Sequence, residues 1–69
     1  MSNQTFQVQG MTCQHCVKAV EQALAQVAGV QTVAVDLNQA QVTVDFDDTQ
    51  TNAQALAQAI AEEGYSVQV

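Results

Sequence analysis

Cys13 and Cys16 are separated by two residues in the segment Met11-Thr12-Cys13-Gln14-His15-Cys16. They are the 2 cysteines of a 69-residue chain, and its 1 histidine, His15, lies between them. Thiolates are soft nucleophiles and soft metal ligands, so a pair at this spacing can share one metal ion or act in thiol–disulfide exchange. Downstream, Val17, Val20, Leu24 and Val27 recur at three- and four-residue steps, the stripe of an amphipathic helix. The cysteines therefore stand where a loop enters a helix. The partial positive charge and unpaired N–H groups at such a helix start favour thiolate over thiol, against an ordinary thiol pKa of about 8.5. Metal binding would displace the remaining protons.

Ligand number narrows the choice of metal. Structural zinc takes four ligands, commonly Cys and His; this chain offers two Cys and one His. Cu(I) is selected by thiolates, and as a filled-shell ion it tolerates two-coordination. Two sulfurs suffice for copper and are too few for a closed zinc site. An open site also admits an incoming thiolate, which transfer requires. The rival chemistry is a thiol–disulfide redox centre on the same two residues. The thioredoxin-type fold that hosts it is longer and faces the cysteines with a cis-proline loop, and this chain contains no proline.

The elements that position the pair are legible from periodicity. Thr5-Phe6-Gln7-Val8 alternates as a half-buried strand, and Gly10 opens the cysteine loop. Gly29 is placed to cap the first helix in a left-handed conformation. Val33, Val35 and Leu37 share one face of a second strand, and Val42, Val44 and Phe46 one face of a third. Asn38-Gln39-Ala40 reads as the hairpin turn between them, without the stronger Asn-Gly signature. Thr51 to Gln54 has the spacing of a capping box and leads into a helix burying Ala53, Leu56, Ala57 and Ile60. Gly64 ends that helix, and residues 65–69 return as a last strand.

The order β-α-β-β-α-β with right-handed crossovers gives an α+β, ferredoxin-like fold: a four-stranded antiparallel sheet with both helices on one face. Strand alternation then puts the cysteine loop, the hairpin at 38–40 and the segment Glu62-Glu63-Gly64-Tyr65 at one end. Asp45, Asp47 and Asp48 fall towards the opposite end and receive no metal role.

Sixty-nine residues make one domain, 1–69, too small for a deep substrate cleft, which argues against an enzyme. The net charge of −6, with Lys18 the sole Lys or Arg, excludes nucleic acid and anionic membrane as partners, since both need a basic footprint. No basic, apolar leader pattern opens the sequence, and no run reaches membrane-spanning length. Two cysteines in that context point to a reducing compartment, so the expected location is cytoplasmic.

The segment Gly10-Met11-Thr12-Cys13-Gln14-His15-Cys16, with Val17, Val20 and Gly29-Val30 behind it, resembles the heavy-metal-associated domain family. Cys-Gln-His-Cys with Lys18 and the Gly64-Tyr65 pair most resembles its bacterial copper chaperones, and the likeness spans essentially the whole chain. The resemblance implies a cytoplasmic protein that binds Cu(I) through Cys13 and Cys16. It implies delivery to a copper-transporting P-type ATPase or a copper-responsive repressor. Such a protein is a monomer without metal, and its exposed dithiolate permits a copper-bridged dimer. The family also contains mercury carriers, usually exported, and zinc-handling members, which often carry Asp where this chain has Thr12.

Four further residues surround the pair. His15 lies between the sulfurs, where it modulates their charge or is simply exposed; direct ligation would need the backbone to bend. Met11 is soft enough to ligate, but Met also fills irregular core gaps, and the family resemblance turns it inward. Tyr65 either offers ring or hydroxyl to the sulfurs or serves as an aromatic lid over the sheet end. Lys18, in the first turns of the helix, offsets dithiolate charge or is an ordinary solvated residue.

Overall fold

The computed structural model describes residues 1–68. They form β1 (Ser2–Gln9), α1 (Gln14–Ala25), β2 (Val30–Asp36), β3 (Gln41–Phe46), α2 (Ala53–Glu62) and β4 (Ser66–Gln68). The strands make one antiparallel sheet in the order β2-β3-β1-β4. Along the central strands, Phe6, Val8, Val42, Val44 and Phe46 all turn to one face and are buried. Val20 and Leu24 of α1 and Leu56 and Ile60 of α2 close over them in a single core, so both helices lie on that face. Each such side chain, fully buried, contributes roughly 1.5–3 kcal/mol relative to exposure. The ferredoxin-like arrangement expected from the element order is the one observed.

The other sheet face is held by polar pairs. Thr5 and Thr43 hydroxyls meet at 3.2 Å, and Asp45 accepts from Asn3 Nδ2 and Thr32 Oγ1, each at 2.6 Å. These contacts explain why β1 begins at Ser2 rather than Thr5. Its first residues lack apolar alternation, yet they pair with β3 down to Ser2 opposite Phe46. Ser2 also donates to Asp48 at 2.7 Å.

Four local expectations need correction. The N-cap of α2 is Asn52, not Thr51: its side-chain oxygen accepts from the Ala55 amide at 2.8 Å. Thr51 is instead nearly buried, with its own amide bonded to the Asp47 carbonyl at 3.1 Å. Helix α1 ends at Ala25 with Gln26 as its cap, so Val27 lies beyond it, though still packed on the core. Gly29 does have a positive φ, +95°, but uses it in the turn whose Val30 amide bonds Val27. A side chain there would stand 2.8 Å from Gln50 Cβ. Tyr65 precedes β4 rather than belonging to it, and Val69 lies outside the described residues.

The hairpin turn is made by a residue that the apolar pattern does not mark. Asp36 Oδ1 accepts from the amides of Asn38, at 2.9 Å, and Gln39, at 3.2 Å, an Asx-type turn. Ala40 then adopts φ +55°, and its carbonyl accepts from Val8 at 2.8 Å, tying the turn to β1. A left-handed alanine costs about 1–2 kcal/mol, of which the greater unfolded-state freedom of glycine offsets about 0.5–1. Ala40→Gly is therefore expected to stabilise the reduced protein by about 0.5–1 kcal/mol. Denaturant unfolding measures this, and a destabilised variant would mean that the alanine methyl contributes more than its backbone conformation costs.

Candidate metal centre

Cys13 is the N-cap of α1. Its backbone is extended, and its carbonyl accepts from the amides of Cys16 at 3.1 Å and Val17 at 3.3 Å. Its side chain makes no capping hydrogen bond, and the first turn of the helix carries no acidic residue. The positive end of the helix is thus left to the sulfurs. Cys16, three residues on, comes round to the same side, and the two Sγ atoms lie 3.9 Å apart. Cys13 is exposed and Cys16 half-buried against the core. Both are free thiols.

The distance permits a shared metal. Two bonds of zinc–thiolate length, about 2.3 Å each, span up to about 4.6 Å, so one ion fits between the sulfurs. It is also far beyond the roughly 2.05 Å of a disulfide. Among the described residues, no group of three or more His, Cys, Asp or Glu is gathered in a metal-binding arrangement. What the fold assembles is a two-sulfur centre.

The surroundings of Cys16 favour its charged form. The Tyr65 hydroxyl acts on its sulfur as a donor, and backbone groups of Thr12 and Cys13 add to the effect. Partial burial opposes them, and on balance the thiol pKa is lowered to about 6. Reciprocally, the Cys16 contact and partial burial raise the Tyr65 phenol above its usual value. Tyr65 follows Gly64, whose φ of +101° and amide bond to Ala61 at 2.9 Å turn the chain out of α2. Its ring reaches Gly10, where an added Cβ would stand 3.3 Å from Tyr65 Cδ1. Gly10, marked in the sequence only as a loop opener, is therefore also the place where the backbone yields room to the aromatic ring.

The other candidate residues divide. Met11 is buried in the core, in the same cluster against which Cys16 and Tyr65 pack. His15 and Lys18 are exposed on the outer side of α1, where with Gln14, Ala19 and Gln22 they border a shallow hollow. Glu62 ends α2 and Glu63 caps it. At the other end, Asp45 and Asp47 have carboxyls held below their usual range, Asp45 by Asn3 and Thr32 and Asp47 mainly by Thr49.

Residues 5–66 match the heavy-metal-associated domain. This chain belongs to that family. The copper chaperone CopZ of Bacillus subtilis is 45% identical over 67 residues, covering 97% of this chain and 97% of that protein. Among solved structures, a copper-binding domain from a P-type ATPase superposes with a TM-score of 0.95 at 32% identity, covering 99% of this chain and 92% of that one. Oxidized MerP from Ralstonia metallidurans CH34 superposes with a TM-score of 0.92 at 40% identity, covering 99% and 94%. Heavy-metal-associated domains with differently named roles thus share this backbone closely, and discrimination between them must lie in side chains.

The lowered thiol gives the reduced, metal-free chain a defined pH dependence. Because Cys16 titrates at about 6 when folded and near 9.0 when unperturbed, its thiolate stabilises the fold fully above pH 9, and this contribution fades as pH falls through 6. Thiolate absorbance followed against pH should show a midpoint near 6. In Tyr65→Phe that midpoint should move upward; an unchanged midpoint would mean that the phenol does not act on the sulfur.

Proposed function

We propose that this chain is a cytoplasmic copper chaperone, not an enzyme, which binds Cu(I) through Cys13 and Cys16. The observation that carries the reading is the pair of sulfurs 3.9 Å apart at a helix start, with no third ligand gathered to them among the described residues. A soft, two-coordinate ion suits that arrangement. The recipient is the metal-binding domain of a copper-transporting P-type ATPase or a copper-responsive repressor. The shared backbone of this chain and a copper-binding domain of a P-type ATPase supports the first. No helix among the described residues is long and apolar enough to cross a membrane.

Transfer then proceeds by exchange of ligands without any change of oxidation state. A thiolate of the partner attacks copper from the side of exposed Cys13. A new copper–sulfur bond forms, the bond to Cys13 breaks, and the released thiolate takes up a proton of the kind the partner's thiol gave up. A second exchange at Cys16 completes delivery. His15 and Lys18 on α1 and Tyr65 across the sheet end tune the charge of the dithiolate, while Met11 anchors the loop from below. The free protein is a monomer, and copper shared between two exposed pairs would join two copies.

A carrier of another soft metal, mercury or zinc, is the second reading, since the same two thiolates would accept either ion. Anaerobic titration with Cu(I) against a chromogenic chelator, beside Hg(II) and Zn(II), separates the two. Tight Cu(I) uptake, weak Zn(II) binding and loss of both in the Cys13→Ser, Cys16→Ser double variant are expected. Failure of Cu(I) to outcompete the chelator would overturn the copper assignment, and high turnover of a disulfide reporter would replace it with redox chemistry.

A further inference from the structure

Gly10, Gly29 and Gly64 all have positive φ, but a side chain would meet different surroundings at each. At Gly64 it would find nothing within 4 Å, and at Gly29 it would strike the segment 47–51 between β3 and α2. At Gly10 the neighbour is the Tyr65 ring, whose Cδ1 lies 3.3 Å from the place of the missing Cβ. The sheet brings these two residues together. Strands β1 and β4 pair Val8 with Val67 and Gln9 with Ser66. One step further in the same register, Gly10 lies opposite Tyr65. An aromatic ring laid over a cross-strand glycine covers backbone that the glycine leaves bare. The ring is half-buried and packs against the core, so it is held on that side as well. Its hydroxyl donates to Cys16, whereas Cys13 acts on it only as a charge.

We propose that Gly10 is a positioning residue of the metal centre, which acts through Tyr65. By leaving the ring its place at the end of β1, it keeps the phenol on Cys16 and leaves Cys13 as the sulfur open to an incoming ligand. Gly10 touches neither sulfur in this scheme. Its contribution is a vacancy of one methyl, filled by the ring. That the sulfur so left open is the one that passes copper on rests on the delivery reading above; the seating of the ring does not.

The lever is short at one end and long at the other. Cδ1 lies near the bond about which the ring swings, and the hydroxyl lies at its far tip. A methyl at position 10 displaces Cδ1 slightly and the hydroxyl further. Hydrogen bonds weaken steeply as distance and angle degrade, so the contact with Cys16 is lost before the fold is. Gly10→Ala also carries a backbone cost, because an L-residue at φ +102° is strained. That cost is independent of what stands at position 65, and the contact with the ring is not.

The test therefore compares Gly10→Ala, Tyr65→Leu and the double variant, all reduced and free of metal, so that its outcome is independent of which ion is carried. Each is treated with iodoacetamide at one pH well above 9.0, the ordinary thiol value, so that the comparison reads access to sulfur. Peptide mapping then gives the rates at Cys13 and Cys16 separately. In the parent chain Cys13 should react first. Gly10→Ala should raise the rate at Cys16 relative to Cys13 by about two- to tenfold, the worth of one hydrogen bond. Tyr65→Leu should do the same, and Gly10→Ala should add nothing on top of it, since the two act through one contact. An unchanged ratio in Gly10→Ala would overturn the proposal, as would an equal further rise in the double variant or a parent chain in which Cys16 reacts first. Should Gly10→Ala fail to fold, Tyr65→Leu must restore the fold in the double variant; a double variant that stays unfolded would place the role of Gly10 in the backbone alone.

Discussion

A helix start must find partners for N–H groups that the helix itself cannot satisfy. Most helices use a Ser, Thr, Asn or Asp at the N-cap for this, as α2 does with Asn52. Helix α1 does not. Its N-cap is Cys13, whose sulfur makes no capping bond, and no carboxylate stands in the first turn to neutralise the helix end. The helix gives up local stability there and keeps its positive field for two thiols. Everything that fixes α1 therefore serves the pair indirectly. Its anchorage comes from Val20 and Leu24, fully buried against the sheet and α2.

The two halves of the chain make unequal contributions to this end of the molecule. The first supplies both sulfurs. The second supplies the neighbours, through two turns that need unusual backbone conformations. Gly64 turns Tyr65 out of α2 and towards Cys16, and Ala40 closes the hairpin whose turn amides Asp36 holds. Gly10, also at positive φ, lets the Tyr65 ring lie close to the strand that leads to the cysteines. The result is asymmetric. Cys16 is half-buried with a donor beside it, whereas Cys13 is exposed. That asymmetry arises from elements more than forty residues apart in sequence.

This division also explains what could be read before the fold was seen. Long-period signals were legible: the stripe Val17, Val20, Leu24 and the alternation Val42, Val44, Phe46 fixed element type, order and which end carries the cysteines. Short-range polar chemistry was not. Whether Thr51 or Asn52 caps α2 depends on which oxygen reaches the Ala55 amide, a matter of one residue that two good capping types leave ambiguous. The start of β1 was set by Asn3 and Ser2 bonding across to Asp45 and Asp48, partners about forty residues away that no local pattern announces. The role of Asp36 is hidden from the sequence for the same reason. An aspartate at a strand end reads as surface charge until its oxygen is seen to hold two turn amides.

A carrier of metal ions faces opposed demands, since the ligands that retain an ion also oppose its release. A closed four-ligand site resolves the conflict towards retention. The arrangement here leaves it open: two sulfurs, no third group gathered among the described residues, and one of the two accessible from solvent. Retention then depends on thiolate character, which the helix end and Tyr65 promote at Cys16. Release depends on access, which is greatest at Cys13. Placing these properties on different sulfurs lets one residue hold while the other is exchanged. Neither needs the fold to move, because the asymmetry is built into where α1 begins.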